Sequence, residues 1–268
     1  MKKSLNIILK QDKINNGILR LVLNDNENKN ALSERMMKEL IKVFNQVSLD
    51  KSIRVIIIAS TGNVFCSGHN LKEITNARKN DDLGRSYYLN LFNLCSSLMQ
   101  LIVNCPKPVI AEVNGIATAA GCQLVASCDL AISSQTAKFA TPGVNLGLFC
   151  STPMVALSRN ISKKNAMKML LTGDMISANE AKNISLINDC VAETDLSETV
   201  IKLAQKIAQK SSMTVRTGKE AFYKQFEMNL SDAYKYTSKV MAENTLKNDA
   251  KEGIDSFLEK RDPSWSDT

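Results

Sequence analysis

The stretch Val109–Ala131, VIAEVNGIATAAGCQLVASCDLA, constrains the fold more than any other part of the chain. It opens with the apolar run Val109–Val113, which reads as a short buried strand. Asn114 and Gly115 end that strand with a turn pair. Small residues then crowd together from Ala117 to Gly121, and a helix follows with Cys122, Leu124, Val125 and Cys128 on its apolar side. Such a strand, turn and helix start leave backbone N–H groups without intrahelical partners, and a negative charge is stabilised there. Small side chains let a ligand carbonyl approach those donors. Taken alone, the stretch reads equally as a tightly packed strand-to-helix turn.

A second stretch repeats the pattern. The apolar run Val55–Ala59 leads through a loop with Gly62 and Gly68 to a helix that Lys72 and Glu73 begin. Two such turns side by side offer two N–H donors to one oxygen, which is the design of an oxyanion hole.

The rest of the chain excludes several classes. Its 268 residues suit one large domain or two small ones with a true core. No window approaches the ~20 apolar residues of a membrane span. The start, MKKSLNIILKQDK, has lysines, but polar residues break its apolar run, and it lacks the Arg and Ser richness of a transit peptide. A cytoplasmic protein is expected on that reading. Seven cysteines in odd number, without CxxC, read as reduced and mostly buried. With His69 the one histidine, no zinc site can be drawn and no metal is expected. GxSxG, Walker A and GxGxxG are absent. The net charge of +7 is dispersed, and only 5% of residues are aromatic, so no nucleic-acid platform is expected. A dispersed positive surface that keeps a protein in solution is the usual reading of such a charge, and attraction of an anionic small ligand fits it equally.

Periodicity supplies the remaining elements. Leu5–Leu9 and Ile18–Leu23 alternate as a hairpin would, turning at Asn15–Gly17. Ser33 caps a helix carrying Met36, Leu40, Ile41, Phe44 and Val47. A polar loop is expected over Asn76–Asp82, a long helix over Tyr87–Val103, a short helix capped by Ser177, and a strand over Asn188–Val191. Four helices fit the end of the chain: Ser197–Lys210, Thr214–Phe226, Ser231–Leu246 and Ala250–Lys260. Alternating strands and helices make the fold α/β.

Asn63–Glu73 (NVFCSGHNLKE), Pro106–Ile132 and Phe139–Leu148 (FATPGVNLGL), at these separations, resemble the crotonase (enoyl-CoA hydratase/isomerase) superfamily, from about Leu5 to Trp265. The resemblance implies a crotonase fold. A spiral of ββα units would form residues 1–195, followed by a helical trimerisation region over residues 196–268. It implies a homotrimer or hexamer that binds an acyl-CoA thioester, as substrate or ligand, and has no other cofactor. Matched by position, Ser67 and Ala120 would supply the oxyanion N–H groups. Gly68, His69, Asn70, Leu71 and Gly143 would line the ligand. Lys29 and Ala31 would lie near the nucleotide, although Lys29 reads equally as a solvated loop lysine. Phe257 and Lys260 would cover the adenine of a neighbouring subunit. Lys72 and Glu73 read as surface, and Asp129 as structural.

Two departures from the pattern matter most. Hydratases of this family use two glutamates to deprotonate water and deliver a proton to the α-carbon. Gln123 stands at the first position and cannot ionise; Gly143 stands at the second and has no side chain. Hydratase activity is therefore expected to be weak or lost. Around His69 and Thr141, the chain also resembles methylmalonyl-CoA decarboxylase, in which loss of CO₂ creates the enolate without a base. His69 would then orient a carboxylate or protonate the enolate. A CoA-thioester binder without turnover is the third reading. Should another carboxylate take over as base, Glu112, on the central strand, is the first to examine.

Overall fold

The computed structural model describes residues 7–268. A hairpin comes first, β1 (Leu9–Ile14) and β2 (Ile18–Leu23), paired from Leu9 opposite Leu23 to Ile14 opposite Ile18. Asn16 and Gly17 adopt φ of 67° and 73°, as a tight hairpin turn requires. The first strand lies later than the expected Leu5–Leu9, of which Leu5 and Asn6 fall outside the described residues. Its sequence, LKQDKI, buries only Leu9 fully, so an edge strand facing water left no apolar alternation to read. Helix α1 (Glu34–Leu49) follows, with Ser33 Oγ accepting from the Met36 N–H at 3.2 Å and Met36, Leu40, Phe44 and Val47 buried.

A strand–strand–helix unit then recurs. Strands β3 (Val55–Ser60) and β4 (Val64–Cys66) lead to α2 (Leu71–Ala77) and α3 (Arg85–Asn104). Part of the expected loop at Asn76–Asp82 is thus the end of a helix. Strands β5 (Val109–Val113) and β6 (Ile116–Thr118) lead to α4 (Ala120–Ser127). Strands β7 (Leu130–Ser134) and β8 (Lys138–Ala140) lead through a 3-10 turn, Pro142–Leu146, to α5 (Ser151–Asn160) and α6 (Lys163–Thr172). Strand β9 (Ile176–Ser177), α7 (Ala178–Asn183) with its Ser177–Glu180 capping box, and β10 (Asp189–Val191) close the series.

The first strand of each unit joins one sheet, in the order β1-β2-β3-β5-β7-β10, and the second joins another, β4-β6-β8-β9. From β2 to β10 the larger sheet is parallel, and so are β4, β6 and β8. This is a spiral of ββα units. Both faces of a parallel sheet must be covered. Ile56, Ile58, Ala111 and Val113 pack toward the helices of the spiral, while Ile18, Ile57, Ile110 and Ile132 pack against α8 (Leu196–Ala208).

Helices α9 (Ser212–Gln225), α10 (Leu230–Thr245) and α11 (Asn248–Glu259) follow, all four C-terminal helices starting and ending within two residues of the ranges periodicity marked. Asp129 is the joint between spiral and α9: it accepts from the Val109 N–H at 2.7 Å, from Lys219 Nζ at 2.7 Å and from the Tyr223 hydroxyl at 2.9 Å. That is the structural role expected of it. Helix α11 is held by the tail. Asp249 accepts from the N–H groups of Ser266 and Asp267, and Asp267 pairs with Arg54 at 2.9 Å.

Candidate functional site

The two strand-to-helix turns meet. A methyl group placed on Gly68 would lie 2.9 Å from Ala119 Cβ and 3.3 Å from the Ala120 nitrogen. Thr118 Oγ1 donates to the Ser67 carbonyl at 3.1 Å, and the Ala119 N–H donates to the Ala140 carbonyl at 2.9 Å, which brings in the turn after β8. Gly121 lies so close to β4 that an added Cβ would sit 2.2 Å from the Cys66 carbonyl oxygen. Ser67, His69, Thr118, Ala119 and Ala120 therefore share one small joint between two parallel strands.

The Ser67 N–H is committed: it donates to the Lys29 carbonyl at 3.2 Å. The expectation that Ser67 supplies a free donor is corrected, because the segment after Asn28 runs alongside β4's end and takes that N–H. Leu32 N–H donates to the Gly68 carbonyl at 2.8 Å in the same pairing. Among the described residues, the His69 and Ala120 N–H groups donate to no backbone carbonyl outside regular elements. Ala120 is the first residue of α4 and is absent from the positive-φ residues, so the Ala there is unstrained. The strain lies one position earlier, at Ala119, with φ 51° and ψ −119°. A non-glycine residue there costs on the order of 1–3 kcal/mol. Ala119→Gly should raise stability by about 1 kcal/mol in urea unfolding, since relief of that strain outweighs the added chain entropy. An unchanged or lower midpoint would refute the strain.

His69 lies half-buried beside this joint. Its ring meets Phe92 edge-on at 5.4 Å between centroids, and Nδ1 lies 3.4 Å from the Leu32 carbonyl. A carbonyl only accepts, so Nδ1 carries the proton in that bond. Nε2 is buried without a partner, as is the hydroxyl of Thr141. Burial pushes the imidazole pKa below its ordinary 6.5, the Leu32 bond opposing weakly. The neutral ring is thus the native form at pH 7, a poor partner for a carboxylate or source of a proton. As pH falls below the ordinary value, the unfolded chain takes the proton first, so it binds more protons and stability falls with pH. Urea unfolding should show this acid loss starting near pH 6.5 in the parent. In His69→Gln that component should be missing; two parallel curves would contradict a buried neutral ring.

The carboxylate positions are closed. Gln123 is buried at 4% exposure, with the Cys95 thiol 3.8 Å from its carbonyl oxygen. Gly143 is buried, and a Cβ there would meet Cys150 Sγ at 2.8 Å and the Leu148 carbonyl at 2.9 Å. Its φ is not positive, so space rather than backbone strain forbids a side chain. Cys150 was not singled out in the sequence. Glu112 does not take over as base: it lies on the face toward α8, and Arg20 grips both its oxygens at 2.6 and 3.0 Å. Glu73 accepts from the Glu34 N–H at 3.2 Å and the Tyr87 hydroxyl at 3.3 Å. No cluster of metal-ligating side chains occurs among the described residues.

Of the other sequence candidates, Lys29 and Ala31 belong to the segment that pairs with Ser67 and Gly68, and Asn70 and Leu71 follow His69 directly. Asn70 caps α2, its side chain accepting from the Lys72 N–H at 3.0 Å, and Leu71 is 53% exposed at the helix start. Lys29 is exposed, in the left-handed region at φ 54°, and Ala31 is buried. Phe257 is 82% exposed on α11, and Lys260, at φ 56°, is the cap residue just past the end of that helix. No hydrogen bond among the described residues ties either one to the Gly68–Ala120 joint.

A spiral of ββα units with paired turns at the inner strand ends defines the crotonase fold. The profile of the enoyl-CoA hydratase/isomerase family matches residues 13–268, and the chain belongs to that family. It is 50% identical over 250 residues to enoyl-CoA hydratase domain-containing protein 3, mitochondrial, of Xenopus laevis, covering 93% of this chain and 83% of that one. The Homo sapiens protein of the same name is 48% identical, covering 93% and 81%. The crystal structure of enoyl-CoA hydratase from Mycobacterium smegmatis superposes with a TM-score of 0.92 at 44% identity, covering 96% of this chain and 98% of that one. That of human enoyl-CoA hydratase domain-containing protein 3 gives 0.91 at 46% identity, covering 96% and 100%. The expected cytoplasmic address is corrected by these relatives, whose names place them in mitochondria. A compartment is addressed by receptor-read signals, so the composition of a folded chain is a poor guide to it.

Proposed function

We propose that the chain binds an acyl-CoA thioester and holds its carbonyl oxygen between the N–H groups of His69 and Ala120, stabilising an enolate while hydrating enoyl thioesters weakly or not at all. The observation that supports this is the contact of Gly68, next in sequence to His69, with the Ala119–Ala120 turn, where among the described residues neither the His69 nor the Ala120 N–H has a backbone carbonyl partner outside regular elements. Oriented donors of this kind contribute about 2.7–4 kcal/mol each to a developing oxyanion. Gln123 and the filled space at Gly143 argue against the water-adding mechanism of the family. With its Nδ1–H directed to the Leu32 carbonyl, His69 has no ring N–H left for a carboxylate, which argues against the decarboxylase variant. Binding without turnover remains the alternative class.

Assembly as a homotrimer or hexamer belongs to the same reading. Phe222, Phe226, Leu230, Tyr234, Met241 and Phe257 are all more than half exposed along the segment from α9 to α11, and exposed apolar side chains of that size suit a surface covered by another copy of the chain. A monomer in sedimentation at micromolar protein would remove that part.

The direct test presents crotonyl-CoA, methylmalonyl-CoA and ethylmalonyl-CoA to the purified protein and reads binding by calorimetry and products by mass. Thioesters should bind more tightly than adenosine diphosphate, with little hydration and no decarboxylation. Thioester affinity no better than the nucleotide's would sink the proposal, and release of CO₂ would revive the His69 lyase.

A further inference from the structure

We infer that Asn30 is a positioning residue that sets where the His69 N–H points, an inference that rests on the ligand reading above. Asn30 is fully buried and sits in the left-handed region at φ 51°, directly after Lys29 at φ 54°. Consecutive left-handed residues without glycine are costly and persist only where their surroundings over-determine them. Here the Asn30 side chain does so. Its amide donates to the Thr61 carbonyl at 2.9 Å and to the Val64 carbonyl at 2.7 Å, and its oxygen accepts from the Asp25 N–H at 2.8 Å. Both amide hydrogens are thereby used, which only asparagine of this length does while tolerating the backbone conformation.

Those bonds lock the segment Lys29–Leu32 against the loop before β4, and that segment grips the turn after β4 at successive points. The Lys29 carbonyl takes the Ser67 N–H at 3.2 Å, the Leu32 N–H holds the Gly68 carbonyl at 2.8 Å, and the Leu32 carbonyl faces His69 Nδ1 at 3.4 Å. Ser67, Gly68 and His69 are thus each fixed from one side by a strip whose own shape depends on Asn30. From the other side they meet Thr118 and Ala119. Removing the Asn30 side chain frees the strip to relax toward ordinary φ, and the His69 N–H turns with it, while the Ala120 N–H stays in place on α4. The Asn30 side chain touches no ligand in this arrangement; it acts only through Lys29–Leu32.

The test uses the full chain with bound crotonyl-CoA and reads the isotope-edited infrared band of the thioester carbonyl. In the parent, that band should lie below its value in water, because two donors polarise the bond. Asn30→Gly keeps the left-handed backbone accessible and removes the three side-chain bonds; Asn30→Ala loses both. Both variants should still bind crotonyl-CoA within about threefold of the parent, with the band moved back toward the free value. Any residual turnover should fall about ten- to a hundredfold in kcat with KM little changed, the scale of a donor displaced by about an ångström. Should the Ala variant fail to fold, the Gly variant carries the test alone. A lower melting temperature with the parent's band unmoved overturns the inference while leaving the ligand reading intact. A parent that binds no thioester overturns both.

Discussion

One methyl group at position 121 should cost the fold about 3 kcal/mol or more. In Gly121→Ala the new Cβ falls 2.2 Å from the Cys66 carbonyl oxygen, 2.8 Å from its carbonyl carbon and 2.8 Å from its Cβ. Backbone cannot step aside as the end of a flexible side chain can. Relief needs α4 to move off β4, and the two are held together through β6, which pairs with β4 and leads into α4 at Ala120. Overpacking of a well-filled core ordinarily costs about 1–3 kcal/mol, and contact with the Cys66 backbone puts this site at or above the top of that range. Thermal unfolding should drop by several degrees, and thioester binding should fall in the protein that remains folded, because Ala120 moves with the helix. As a comparison, Gly218 has open space around it, and Gly218→Ala in α9 should be neutral or stabilising. Equal melting temperatures for Gly121→Ala and the parent would mean that the two turns are not packed as described.

What was legible in the sequence follows from where side chains face. Helices α1 and α8 carry apolar residues at helical spacing toward a core, while α9–α11 keep a helical period with Phe222, Tyr234 and Phe257 turned outward, and all four C-terminal helices start and end within two residues of the expected ranges. Strand β1 faces water along most of its length and left no such trace. No residue-level repeat marks the ββα unit, which is legible only through the family resemblance, because it repeats in topology: β3–β4, β5–β6 and β7–β8 share a path between two sheets, not a residue pattern. The motif spacing located the donor turn, but which of its N–H groups is free depends on a segment thirty-odd positions earlier. Ser67 N–H pairs with Lys29, and that pairing is set by left-handed residues whose signal in the sequence is a single asparagine. Likewise, Glu112 is a carboxylate on the central strand, and only the register of β5 beside β3 turns it toward Arg20. At Gly143 the sequence shows only a missing side chain; the structure shows why none fits, because Cys150 returns from the following loop into the space a side chain would need.

That thiol decides the last expected result. Crotonyl-CoA hydration by the parent should run at least about 10⁴-fold below that of a two-carboxylate hydratase, since each well-placed acid or base contributes about 10²–10⁴. Gln123→Glu should recover part of this, up to about a hundredfold, because one carboxylate can then deprotonate the attacking water. The restored glutamate would replace a side chain only 4% exposed, so desolvation would raise its pKa and the gain should grow as pH rises. Adding Gly143→Glu should not complete the site. Its Cβ meets Cys150 Sγ at 2.8 Å and the Leu148 carbonyl at 2.9 Å, so the double variant should lose stability and hydrate no faster than the single one. Initial rates of enone absorbance loss, measured across pH beside melting curves for each variant, separate these outcomes. A parent already at full hydratase rate would overturn the assignment. The base would then have to come from elsewhere, and Glu112 is not available for it: its two oxygens are held by Arg20 at 2.6 and 3.0 Å on the α8 side of the sheet.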